Sequence, residues 1–140
     1  MNKKVWPGAM AVFVTVVILD SVVNRFLLKP EYETTRHLWR AAEDINMALM
    51  IVCYAVQAFF FSFIFSKGYE GRGIAEGLRF GLYTSFLMVL PFAYMSYATM
   101  PIPYLLSLKY FIFGTATWVT AGAAVALAFG KVTHPPVPAM

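Results

Sequence analysis

Apolar positions along the chain gather into four long runs, about 6–28, 47–66, 78–98 and 104–129. A run of roughly 20 mostly apolar residues is what one helix needs to cross the hydrocarbon layer of a membrane. The pattern therefore predicts an all-α membrane protein, a bundle of four transmembrane helices forming a single domain over residues 1–140. Polar residues collect between the runs, in an outer loop 29–46, an inner loop 67–77 and a short inner tail 131–140. Met100-Pro101-Ile102-Pro103 leaves only a tight turn between the last two runs, which makes helices three and four an antiparallel hairpin.

Composition fits that class. The chain is 60% hydrophobic and 13% charged, with a mean hydropathy of +0.66, whereas a soluble domain is about 45–50% apolar and about 25% charged. So little chain lies outside the runs that no separate soluble domain is expected. The net charge of +4 sits in short loops beside the spans, where the positive-inside rule accounts for it, and nucleic-acid binding is excluded. Lys3, Lys4, Lys67, Arg72, Arg79 and Lys131 fall on one side; Arg25, Lys29, Arg36, Arg40 and Lys109 fall on the other. The N-terminal lysines weigh most, which places both termini in the cytoplasm. The basic start and first run look like a signal peptide, but Asp20 interrupts the run and no small-x-small cleavage site follows, so the helix is expected to be retained.

The most distinctive stretch is Lys67 to Ser85. Gly73, Gly77, Gly81 and Ser85 recur every four residues and line one helical face with almost no side-chain bulk, so a second helix can approach the backbone closely. The fourth run offers two receiving rows, Ala116/Thr120/Ala124/Ala128 and Gly122/Ala126/Gly130. One suits the hairpin partner, the other the first helix or another chain. Beside the glycine face, Arg72, Glu76 and Arg79 alternate in sign at helical spacing and are expected to form a charge ladder at the cytoplasmic surface.

A polar layer is expected near mid-membrane. Asp20 falls within the first run, Asn24 follows one turn later, and Arg25 lies slightly nearer the outer surface. A carboxylate at the bilayer centre costs about 2.5–3.5 kcal/mol on insertion scales, so Asp20 must face the bundle or a partner. It is either a proton- or cation-binding group or a polar clamp satisfied by Arg25. Gln57 of the second run has Asp20 or Asn24 as its natural partners, through interhelical bonds averaging about 0.6 kcal/mol. Pro91 should kink the third helix and free a carbonyl for Thr84, Ser85 or a neighbouring tyrosine. In the outer loop, Pro30 is expected to end the first helix, and Thr34 or Thr35 to cap a short helix through Leu38 and Trp39.

Other chemistry is poorly provided for. Cys53 is the single cysteine, without a Cys-x-x-Cys partner. His37 and His134 both fall outside the runs, so an internal bis-histidine haem is excluded. No His/Glu cluster suits zinc or di-iron. Met47, Met50, Met95 and Met100 lie toward the outer ends, where thioethers suit Cu(I), although methionine is also ordinary filler. Phe59, Phe60, Phe61, Phe63 and Phe65 face either lipid or a quinone or pigment, and Trp118 is either a core plug or a pocket wall. The chain is thus expected to bind no cofactor through its own ligands, while allowing lipid, quinone or pigment contact, and no nucleophile–base pair marks it as an enzyme.

Tyr69-Glu70-Gly71-Arg72-Gly73, Glu76-Gly77-Leu78-Arg79-Phe80-Gly81 and the Pro101-Ile102-Pro103 turn resemble a group of small bacterial inner-membrane proteins with four spans. The resemblance covers mainly the last two helices and implies the topology and a bacterial inner membrane, with no activity attached. The combined expectation is an accessory or structural subunit of a larger membrane complex, such as an energy-transducing one, in contact with lipids and other membrane subunits. The alternative is a small autonomous carrier or binder of a proton-coupled or hydrophobic molecule that uses the mid-membrane polar layer.

Overall fold

A computed structural model describes residues 1–130 of the chain. The tail 131–140, with Lys131 and His134, lies outside the described residues. Among the described residues, besides two single 3-10 turns, five helices follow one another: α1 Val5–Leu27, α2 Lys29–Thr34, α3 Met47–Gly68, α4 Ile74–Thr99 and α5 Tyr104–Phe129. All but α2 are long and apolar enough to cross a membrane, so the chain is a multi-pass, all-α membrane protein. α5 packs against both α4 and α1, and α1 also packs against α3. Two ends can be distinguished. The near end gathers Val5, Phe65 and Phe129; the far end gathers Leu28, Ile102 and Leu106.

The near half is tightly packed. α4 meets α5 through glycine: a Cβ added at Gly77 would lie 2.6 Å from the Ala126 Cβ and 2.8 Å from the Gly122 carbonyl carbon. At Gly81 the same addition would come within 2.8 Å of the Val119 Cα. Lipid supplies no hydrophobic drive between helices, so close van der Waals approach of this kind is what holds them together. Gly8 makes a third such junction, where a Cβ would meet the Ser62 hydroxyl and the Phe129 ring. Around these contacts Val12 and Val16 of α1, Phe61 and Phe65 of α3, and Ala121, Val125 and Phe129 of α5 form the core. Phe61 contacts Phe80 edge-on at 4.7 Å and Trp118 at 5.0 Å, bringing α3 to α4 and α5. The phenylalanine run is therefore divided: Phe61 and Phe65 are core, while Phe60 is exposed.

A helix leaves its last carbonyls without partners, and side chains from two other segments supply them for α5. Lys4 Nζ donates to the Phe129 carbonyl at 2.5 Å and the Tyr69 hydroxyl to the Gly130 carbonyl at 2.5 Å. Ser62, fully buried, donates to the Val5 carbonyl at 2.9 Å.

Several local expectations are corrected. Gly73 does not belong to the helical seam. It precedes α4 with φ 79° and ψ −147°, a conformation glycine adopts without strain, so the seam begins at Gly77. Ser85, also fully buried, opens a wide turn and donates to its own helix at the Leu82 carbonyl, 2.8 Å away. The charge ladder does not form either. Glu76 instead accepts the backbone N–H groups of Glu70 at 2.7 Å and Arg72 at 3.0 Å, locking the turn before α4, and Arg72 pairs with Glu70. Free backbone donors just ahead of a helix hold a first-turn carboxylate more firmly than an exposed arginine does. Pro30 starts α2 rather than ending α1, since its fixed φ suits a first helical turn. Thr35 does precede a short helix, the single 3-10 turn Arg36–Leu38, but its hydroxyl, like that of Thr34, donates back to the Glu31 carbonyl at the end of α2 and does not cap that turn.

Candidate functional site: a polar-floored cavity in the far half

Toward the far end the bundle opens. Two of its helices change winding there. In α1, Val23–Leu27 is a π turn, with the Leu28 N–H reaching the Val23 carbonyl at 2.9 Å. In α4, Ser85–Val89 is another, closed by the Leu90 N–H on the Ser85 carbonyl. The second has an evident cause. Pro91 has no N–H to give and its ring would press on the carbonyl four residues earlier; one wide turn just before it removes the conflict. Thr84 accordingly bonds the Phe80 carbonyl and is not drawn to a carbonyl freed by Pro91. In α1 the Asn24 amide donates to the Asp20 carbonyl at 2.8 Å, a side chain inserted into the backbone ladder.

Between these turns lies a cavity of about 470 Å³. α1 contributes Asp20, Val23 and Asn24, α3 contributes Gln57, and α4 contributes Met88, Val89 and Phe92. α5 adds Tyr110, Phe113, Gly114 and Trp118. Residues of both π turns face it, as extra-residue bulges often do at functional sites. The walls are mainly apolar, and a few polar groups converge on them. Tyr54 donates to Asp20 Oδ2 at 2.9 Å, Tyr32 to Asn24 Oδ1 at 2.7 Å, and Tyr32 and Tyr110 share a hydrogen bond of 3.0 Å.

Of the four expected polar-layer residues, Asp20, Asn24 and Gln57 line this one cavity. Arg25 does not join them: it is exposed and lines a cleft outside. The partner of Asp20 is Tyr54 and the partner of Asn24 is Tyr32; neither tyrosine was singled out from the sequence. Tyr54 was within reach, because it precedes Gln57 by three residues and so shares its face of α3. Tyr32 had no local signal, since its role depends on how α2 folds back. Trp118 is both core contact and cavity wall.

A cap covers the far end. α2 and the turn after it bring Tyr32 and Trp39 over the cavity, with their rings edge-on at 5.2 Å. Leu28 is buried beneath them with Ile102 and Leu106. Trp39 Nε1 donates to Thr35 Oγ1 at 2.8 Å, and Lys109 Nζ of α5 donates to Glu31 Oε1 at 2.5 Å. The Lys109 ammonium, through that hydrogen bond, holds the Glu31 carboxyl below the usual glutamate range. Burial, then the hydrogen bond with Tyr110, pushes the Tyr32 phenol far above the usual tyrosine range, so it stays protonated. The other Glu31 carboxylate oxygen is buried with no partner.

Beside the cap, a second concavity of about 450 Å³ is lined by Asn24, Arg25, Lys29, Tyr32, Glu33 and Arg36. Asn24 and Tyr32 belong to both spaces and form the partition between them. Elsewhere, His37 and Cys53 are exposed, and no group of three or more His, Cys, Asp or Glu side chains converges among the described residues. Met47, Met50 and Met95 are exposed, while Met100 packs on the far-end cluster. No family model, no curated protein and no solved structure matches the chain.

Proposed function

We propose that the chain is a small autonomous binder or carrier of a hydrophobic molecule, held in the far-half cavity that Asp20, Asn24 and Gln57 help to line. The observation that carries this reading is the contrast between the two halves: one packed backbone against backbone, the other holding about 470 Å³ with a carboxylate at its wall. That volume lies in the usual range for small-molecule pockets, and an apolar lining with a few converging polar groups is their usual composition. A lone carboxylate within a span is a functional position by default. Binding takes place in a bacterial inner membrane with both termini in the cytoplasm and α4 and α5 acting as a rigid hairpin.

The second reading is an accessory subunit of a larger membrane complex. It is favoured by one surface, the row Ala116, Thr120, Ala124 and Ala128, which is exposed or half-buried and free to receive another helix. The two readings part on extraction of the whole chain from its native membrane into nanodiscs, followed by native mass spectrometry. The binder reading expects a lone chain or small homo-oligomer with a retained apolar molecule, and lower occupancy in folded Asp20→Asn and Val23→Phe variants. Recovery with defined larger subunits and an empty cavity overturns it in favour of the accessory reading.

A further inference from the structure

The two concavities adjoin each other, and their chemistry is opposite. The inner one is walled by Val23, Val89, Phe92 and Phe113; the outer one carries Arg25, Lys29 and Arg36 against the single acid Glu33. None of the three cations forms an ion pair among the described residues, where the pairs present are Arg72 with Glu70 and Lys109 with Glu31. Glu31 does not line the cleft and pairs with Lys109 instead. Arg25 lies in the last turn of α1, and Lys29 and Arg36 follow outside that span. Two arginines and a lysine around one concavity suit an anionic oxygen group, with the arginines able to bind it bidentately. The two spaces share Asn24 and Tyr32, whose side chains are hydrogen-bonded to each other, so a ligand that displaces them would span both.

We infer that the ligand is a membrane lipid with an anionic headgroup, its headgroup held by Arg25, Lys29 and Arg36 and an acyl or isoprenoid chain laid in the cavity past Asn24. This rests on the binding reading above and names its ligand class. Charge complementarity and continuity with the apolar cavity single out a lipid over a free anion, which would leave the cavity unused.

The test uses the whole chain in nanodiscs of phosphatidylcholine doped with phosphatidylglycerol, with retained lipid read by native mass spectrometry after release into detergent. Preference for the anionic lipid is expected to be on the order of a hundredfold, as three basic groups near a surface provide. The combined variant R25Q/K29Q/R36Q should lose that preference while still retaining lipid. The variant K67Q/R72Q/R79Q, at the near end, should keep it. Inorganic phosphate at millimolar concentration should not compete. If wild-type chain retains lipid with no headgroup preference, this inference fails and the binding reading survives; if it retains none, both fail. Full competition by inorganic phosphate identifies a free anion as the ligand and overturns the lipid assignment. Equal loss of preference in the near-end variant shows a bulk charge effect and also overturns it.

Discussion

Gly77 offers the sharpest test of how the near half is held. An alanine there puts a methyl group 2.6 Å from the Ala126 Cβ and 2.8 Å from the Gly122 carbonyl carbon, where ordinary contact is 3.4–4 Å. The obstructing atoms are backbone or Cβ, so no side chain can swing aside, and α4 must retreat from α5 by about 1 Å. A gap of that size forfeits about a quarter to a half of each lost dispersion contact, and overpacking of this kind costs about 1–3 kcal/mol. Alanine regains about 0.5–1 kcal/mol over glycine within a helix. The net expectation is a loss of about 1–2 kcal/mol, roughly a five- to thirty-fold shift toward the unfolded state. Gly68→Ala is the internal control, because nothing lies within 4 Å of a Cβ there. Reversible unfolding by SDS titration in mixed micelles, followed by tryptophan fluorescence, reads both variants. Because Gly77 and Gly122 face each other, their alanine variants should also be non-additive, one separation serving both. Equal midpoints for Gly77→Ala and Gly68→Ala would refute the close-contact argument.

Two further outcomes follow from the far end. Glu31 has a folded pKa held below its ordinary value of 4.5 by Lys109; the stability it contributes is therefore complete above that ordinary value and lost as pH falls through the folded pKa. Hydrogen-exchange protection of residues 29–39, referred to α3, should fall selectively in that acidic window, and Lys109→Met should show the loss already at neutral pH; protection that is the same in both proteins sinks the latch. Ser107, fully buried, donates to the Ala93 carbonyl at 2.5 Å beyond Pro91, and Ser107→Ala should cost about 0.6–1.7 kcal/mol in the same SDS titration; an unchanged midpoint contradicts it.

The four spans were legible because an apolar run of membrane length has few alternatives. The glycine spacing likewise pointed to a close helix contact, and the structure places Gly77 and Gly81 against Gly122, Ala126 and Trp118. What the spacing could not tell was where the helix begins. Gly73 continues the four-residue period, yet Gly71 and Gly73 both take positive φ in the turn before α4. Glu76 was similarly ambiguous: helical spacing from Arg72 suggests a pair, but a carboxylate in a first turn competes for backbone donors as well. At the polar layer, the sequence located Asp20, Asn24 and Gln57 by their cost in a membrane. It could not supply Tyr54 or Tyr32, since an amphipathic ring is at home in a membrane helix or a loop and gives no signal of being out of place. The π turns were hidden for a related reason. Pro91 announces a distortion but not its form, and the turn at Val23 has no proline to announce it.

Those distortions also decide what the glycine seam means. Read alone, a smooth helical face invites a second chain, and an accessory subunit follows from it. In the folded chain Gly77 and Gly122 occupy each other's space, and Gly8 is filled by Ser62 and Phe129, so these contacts are consumed internally. A rigid near half then has a consequence for the far half. Further along the same pair of helices, Val89 closes against Gly114, and the π turn ending there redirects α4 into Pro91, while Val23–Leu27 does the same to α1. With the near end fixed, these changes in winding must appear as space at the far end. The cavity thus lies beyond the packing that at first suggested a partner, and on the proposed reading its carboxylate is what the chain offers a ligand.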